Sequence, residues 1–257
     1  MLRPRIIPVL LVRDNGLVKT KQFRDFKYVG DPLNAVRIFN EKLVDEIIVL
    51  DIDASANGKT PNFELIKKIA SECRMPLCYG GGIKNLEDAK KIISLGVEKI
   101  AMSSSIIRDY KLINYLSDAL GSQSIVGVLD VKRNIFGKYN AYISNGKEKI
   151  KNKLDDVVIE FIKNGIGEIV VNNIDNDGML CGYDIQLIKK IKKFCNVPMT
   201  IIGGAGSLQD MRQVWNLCGL MGCGAGSLFV FKGKYSAILI NYPNLDDKLQ
   251  LLNGIKF

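Results

Sequence analysis

The chain has 257 residues, 47% of them hydrophobic and 25% charged, which is enough apolar material for a large core and too much for a disordered chain. It has no histidine, which removes the commonest metal ligand and the commonest general base. Its six cysteines show neither a CxxC pair nor a zinc spacing, so buried, reduced thiols are expected and no metal or cofactor is called for.

In chain order, the opening "RIIPVLLV" reads as a buried strand over 5–12. Its apolar part is too short for a bilayer span, and no small-residue cleavage site follows, so it reads as neither membrane segment nor signal peptide. Helical patterns over 33–42 and 62–73 flank a second strand at 46–52. A third strand at 76–79 leads to a helix at 85–94, and a fourth at 98–102 to a helix at 109–119. The same alternation then recurs: strands at 124–130, 168–173, 198–202 and 221–225, with helices at 153–164, 184–193 and 207–217. Lysines in "LIKKIA" and "LIKKIKKFC" fall between apolar residues at helical spacing. The net charge of +9 is therefore read as solvated helix faces, suited to anionic small substrates rather than nucleic acid.

The recurrence is a repeat in sequence as well. "LIKKIASECRMPLCYGGGIKNLED" from Leu65 matches "LIKKIKKFCNVPMTIIGGAGSLQD" from Leu187 at a constant spacing that also pairs Pro76 with Pro198 and Gly81 with Gly203. "IIVLDID" matches "IVVNNID" at the same spacing. The opening strand matches "SIVGVLD", with Leu11 standing where the second copy has Asp130. Four β/α units written twice predict an α/β fold, a (β/α)8 TIM barrel in one domain over 1–257, with half-barrels at about 1–122 and 123–245. A doubly wound sheet is the alternative, and it accounts less well for two equivalent halves.

In such barrels chemistry sits at the C-terminal strand ends. There the sequence places "YGGGI", "MSSSI", "IGGAGS" and "GAGSLF", two repeat-related glycine clusters suited to holding an anion at each end of a substrate. Ser103, Ser104, Gly226 and Ser227 add donors. Of the rim carboxylates Asp51, Asp53, Asp130, Asp175 and Asp177, Asp130 closes an otherwise apolar strand and is the best acid–base candidate. At the opposite rim Arg5, Glu46, Lys99 and Glu168 begin strands 1, 2, 4 and 6. Two cations and two anions there can form a ring of ion pairs closing the barrel floor, a structural plug being the plainer reading.

Over essentially its whole length the chain resembles the HisF family, the cyclase (synthase) subunit of imidazole glycerol phosphate synthase. The resemblance is carried by "RIIPVLLVRDNGLVK", "DEIIVLDIDAS", "YGGGI", "LDVKR", "NNIDNDGMLCGYD" and "IGGAGS". It implies a cytoplasmic subunit in a heterodimer with a glutaminase (HisH-like) partner docked on the N-terminal rim, with ammonia passing up the barrel to a phosphorylated substrate. The charged ring then becomes an ammonia gate, Lys19 the lysine of the first loop that folds over substrate, and Asp51 a substrate-site residue. Gly82, Ser103 and Ser104 would form one phosphate site, where the family more often has Asn-Thr in place of the two serines. Asp177, Gly178, Gly204, Gly226 and Ser227 would form the other. The family uses two aspartates for acid and base; the second is Asp130, and the first falls on Leu11, which cannot transfer a proton.

Three functions follow. The resemblance favours a paralogous branch associated with surface-polysaccharide genes, in which ammonia amidates a sugar substituent and one carboxylate is dispensable. The others are an authentic histidine-pathway synthase and a silent barrel that activates a glutaminase.

Overall fold

The computed structural model describes residues 4–233 and 235–255; the outermost ends of the expected domain lie outside them. Eight parallel strands carry the architecture: β1 (Arg5–Arg13), β2 (Ile47–Asp51), β3 (Leu77–Gly80), β4 (Lys99–Met102), β5 (Ile125–Arg133), β6 (Glu168–Asn173), β7 (Met199–Ile202) and β8 (Gly222–Ala225). Each pairs with the next, and β8 pairs back onto β1 through Arg5↔Gly222 and Pro8↔Ala225. The sheet therefore closes on itself as a (β/α)8 barrel, with no open sheet of the doubly wound kind.

Alternation along the strands builds two cores. Ile7, Val9, Ile48, Cys78, Ala101, Val126, Val128, Val170 and Ile202 point inward and fill the lumen. Residues of opposite parity, such as Ile6, Leu10, Val49, Leu129 and Val171, join the larger shell beneath the helices. The helices are α1 (Pro32–Glu41), α2 (Phe63–Glu72), α3 (Leu86–Ser94), α4 (Lys111–Leu120), α5 (Leu154–Lys163), α6 (Ile185–Lys192), α7 (Leu208–Cys218) and α8 (Leu245–Leu252). Side chains of Asp31, Asn62, Asn85, Asp184, Ser207 and Asn244 each accept a backbone N–H of the first turn, a cap worth about 1 kcal/mol. Among the described residues no helix is long and apolar enough to cross a membrane.

Two additions decorate the C-terminal rim. A hairpin of strands Gly16–Lys21 and Arg24–Gly30 continues antiparallel from β1, with Leu11 opposite Val18. Both of its connections are two-residue turns at positive φ, Asp14-Asn15 and Gln22-Phe23, the backbone that tight hairpins favour. A second hairpin, Tyr139–Ile143 with Glu148–Lys149, extends β5 in the same way.

Candidate functional site

The C-terminal strand ends converge on one pocket enclosing about 150 Å³ of space for water. Lys19, Asp51, Ser103, Ser104, Asp130, Asp177, Gly178, Gly204, Gly226 and Ser227 all line it. Gly82 does not. Its N–H donates to Ser55 Oγ (3.1 Å), and Gly81 faces the pocket instead.

The glycine turns are shaped by close approach. A Cβ on Gly81 (φ +125°) would lie 2.4 Å from Asp51 O, and one on Gly203 (φ +91°) 2.5 Å from Asn173 O. These are repeat-related contacts, and each presses a turn against the end of the preceding strand. Short helices Ser104–Arg108 and Ser227–Val230 begin at the pocket wall. The second supplies N–H groups where (β/α)8 enzymes commonly hold phosphate.

Asp130 stands on the pocket floor. Its Oδ1 accepts from Asn172 Nδ2 at 3.1 Å. Burial pushes its carboxyl up to about 7, helped by the charge of Asp177, while the Asn172 bond works the other way. Asp130 is thus poised to exchange a proton near neutrality. On the other side of the floor, Leu11 pairs in register with Leu50, and both lean on the inner core. Asp51 is engaged locally: its Oδ1 accepts the N–H groups of Asp53 (3.3 Å) and Ala54 (3.1 Å), and burial raises its pKa. Asp53 pairs with Arg13 Nε at 2.9 Å, Asp175 accepts the Arg133 N–H, and neither lines the pocket.

The first hairpin closes over this floor. Lys19 is buried, donates to Val9 O at 2.6 Å and lies against Gly226; burial lowers its pKa to about 8, against the pull of Asp177. The Asp177 carboxylate accepts from Thr20 Oγ1 (2.6 Å) and the Phe23 N–H (3.2 Å), clasping the hairpin to the loop after β6. A side chain at Gly178 would strike Thr20 O. Asn145, at the tip of the second hairpin, also lines the pocket and donates to Ile52 O.

Beneath the pocket runs the apolar lumen, and at its foot the four charges form a closed ring. Arg5 bridges Glu46 (2.5 Å) and Glu168 (2.6 Å), and Lys99 bridges the same two carboxylates (2.8 and 2.9 Å). Thr200 Oγ1 donates to Glu168 at 2.7 Å. Burial alone would raise the Glu168 pKa, but Arg5 and Lys99 overcome it and hold the carboxyl at about 2. Likewise the two glutamates keep Arg5 and Lys99 charged against the cost of burial. Cys78 sits in the lumen above the ring, its thiol pKa pushed well up by burial. Of the other cysteines, Cys218 and Cys223 are buried, Cys73 and Cys195 are partly so, and Cys181 is exposed, so the expectation of buried thiols holds for only part of the set.

Sequence reading missed Asn172 and Asn145. The signal for Asn172 was "VVNNID", an apolar strand closed by amides much as β5 is closed by Asp130.

A family model described as histidine biosynthesis protein matches residues 5–236. A Leptospira borgpetersenii protein, provisionally named an imidazole glycerol phosphate synthase subunit HisF, is 55% identical over 96% of this chain and 98% of its own. A Vibrio vulnificus protein with the provisional name hisF3 of the same enzyme is 53% identical over 98% and 97%. Imidazole glycerol phosphate synthase subunit HisF of Dictyoglomus turgidum is 38% identical over 92% and 93%.

Proposed function

The chain belongs to the HisF family of imidazole glycerol phosphate synthase subunits, and on that premise we propose that it is the ammonia-using subunit of a glutamine amidotransferase complex whose acceptor is not the histidine-pathway nucleotide. A glutaminase docks on the rim of the charged ring and delivers ammonia into the lumen. At the mouth, a phosphorylated sugar or nucleotide is held by the glycine turns, Ser103 and Ser104 on one side and Gly204, Gly226 and Ser227 on the other, with Lys19 above. Ammonia forms a C–N bond to an electrophilic carbon of the substrate as that carbon's bond to an activating oxygen leaving group breaks, the leaving group departs with its electron pair, and the Asp130 carboxylate takes the proton the nitrogen sheds. Amidation of a surface-polysaccharide sugar is the favoured setting.

The observation that carries this reading is that, of the two repeat-related positions at the ends of β1 and β5, only one is a carboxylate. Asp130 has a proton-exchanging pKa near 7, whereas Leu11, its repeat counterpart, contributes hydrocarbon paired with Leu50. Ring closure to an imidazole asks for an acid and a base, and a general acid–base group typically contributes ~10²–10⁴-fold. Simple nitrogen transfer needs only one.

The test is to reconstitute the pair with a glutaminase and amide-¹⁵N glutamine and to follow the label. Label in a phosphorylated sugar or nucleotide product supports the proposal. Turnover of the ribulosyl formimino nucleotide with ammonium salts at an ordinary family rate would overturn it in favour of an authentic synthase, which the retained Asp130 and both glycine clusters favour. Stimulated glutamine hydrolysis with no labelled product would mark a silent barrel.

A further inference from the structure

One carboxylate outside the pocket lining is engaged far beyond what its place in the chain demands. Asp184 caps α6, where it accepts the Leu187 N–H at 3.0 Å. Its repeat counterpart, Asn62, caps α2 in the same way with a neutral amide. Either side chain serves a helix cap about equally well. Yet the Asp184 side chain is only 9% exposed, and a buried charge is costly unless it is paired and hydrogen-bonded. The question is what the charge is for.

Three further donors converge on it. Arg133 Nη2 (2.9 Å) and the Tyr139 hydroxyl (2.9 Å) come from the root of the second hairpin, and Asn173 Nδ2 (3.1 Å) from the end of β6. Asn173, 1% exposed, is the link inward. Its Oδ1 accepts the Asn176 N–H (3.2 Å), and Asn176 Nδ2 donates to Gly182 O (3.0 Å), so the loop after β6 is laced across its own width. That loop presents Asp177 and Gly178 to the pocket. At its far end the Gly182 N–H donates to Gly204 O at 2.8 Å. The contact has no slack, since a Cβ on Gly204 would strike Gly182 O. A shift of the loop therefore displaces Gly204 and the Asp177 clasp together.

We infer that Asp184 is a positioning residue for the second anion site: from outside the pocket it holds, through Asn173, the loop that sets Gly204 and the Asp177 clasp, and it fastens the second hairpin at the same point. The inference rests on the proposed reading of Gly204, Gly226 and Ser227 as an anion site, and it adds the group that fixes their geometry. The charge now has a reason. A carboxylate is acceptor-only, so its two oxygens can serve all four donors, whereas an amide would turn an NH₂ toward some of them. In the first half the neutral cap suffices, because Asn62 Nδ2 has an acceptor to meet, Asn15 Oδ1 at 2.8 Å in the turn of the first hairpin. The two caps thus each tether one hairpin, with opposite hydrogen-bonding roles.

Inorganic phosphate is the probe. Asp184→Ser keeps a good helix cap but is too short to reach Asn173 and Tyr139. Protein labelled with ¹⁵N is titrated with phosphate at constant ionic strength. The backbone amides of Gly204, Gly226 and Ser227 read the second site, and those of Ser103 and Ser104 read the first as an internal control. Asp184→Ser should weaken phosphate at the second site by about 2- to 30-fold, the range for a residue acting through packed intermediates. It should leave the first site unchanged and speed hydrogen exchange of the Gly182 amide. Tyr139→Phe, which removes one donor at the rim, should move both readouts the same way by less. Equal second-site affinity in wild type and a folded Asp184→Ser protein, equal loss at both sites, or unchanged Gly182 exchange would overturn the inference. Should Asp184→Ser not fold, Tyr139→Phe decides by the same readouts. If wild type binds no phosphate at the second site, the anion-site reading falls and takes the inference with it. Phosphate binding there that ignores Asp184→Ser sinks the inference alone.

Discussion

Asp130 carries a cost that depends on pH. Its folded pKa of about 7 lies above that of an exposed aspartate, so the folded state holds a proton that the unfolded chain has already released. Stability from this group is greatest below the unfolded value and is lost as pH rises through 7. Asp130→Asn removes the ionisation, so its melting temperature relative to wild type should climb between acid and neutral pH. Calorimetric melts across that range check the sign, and a flat difference would refute the raised pKa. The same variant should lose nitrogen transfer by ~10²–10⁴-fold. Leu11→Asp is the complementary change. If the rest of the floor is intact, it should confer cyclisation of the histidine-pathway nucleotide. It should also lower stability by about 1–3 kcal/mol, because a polar group replaces hydrocarbon packed against Leu50 and the inner core. Product analysis and denaturant titration read the two effects separately.

At the level of elements, the first hairpin is divided: Leu17 to Thr20 are buried, whereas its outer strand is the mobile candidate. Arg24 to Tyr28 are all exposed, and its anchor is the Asp177 clasp. Thr20→Val should weaken that anchor by about 1–3 kcal/mol, the range for a hydrogen bond to a charged acceptor. Amide exchange should then speed up across residues 16–30 and stay unchanged in the barrel strands. Lys19 adds a pH limit. With its pKa lowered to about 8, it discharges above that value, so kcat/KM for a phosphorylated substrate should fall as pH rises through 8, and Lys19→Met should abolish the inflection. The outer strand was not legible in the sequence, since "RDFKYVG" has no apolar alternation and is held by pairing onto Gly16–Lys21, which itself pairs onto β1. Helix α8 was missed for a different reason. It buries only Leu251, so periodicity is faint, although Asn244 and Asp247 form a capping box that could have announced it. The barrel strands and seven of the helices were legible to within a residue or two, save that β5 runs three residues beyond its expected end, because their apolar runs mark them and five of those helices carry side-chain N-caps.

On the scale of the whole molecule, two ends of one tube do different work. The repeat made the barrel readable, and charges at four strand starts made the ring readable. The mouth was readable only in part: Asp130 stood out in an apolar run, while the Asn172 contact depends on a cross-strand register that no single strand displays. The ring itself is tightly coupled, since each cation spans both glutamates. Glu168→Gln should therefore loosen Arg5 and Lys99 together. Its cost should fall short of the ~3–5 kcal/mol of breaking a fully buried pair, because those cations keep 23% and 21% of their side chains exposed. With a glutaminase bound, the variant should lower the yield of labelled product per glutamine hydrolysed, as nitrogen escapes to solvent; an unchanged ratio would separate the ring from ammonia passage.

The clasp has a further result for the timing of a catalytic cycle. While the hairpin is down, it brings the Lys19 cation into the mouth and masks the Asp177 anion with a hydroxyl and an amide. Lifting it withdraws the first and unveils the second, so the local field turns from attractive to repulsive for a phosphate. Departure of a doubly charged product would then be pushed as well as permitted, and its off-rate should slow when added salt screens the exposed carboxylate.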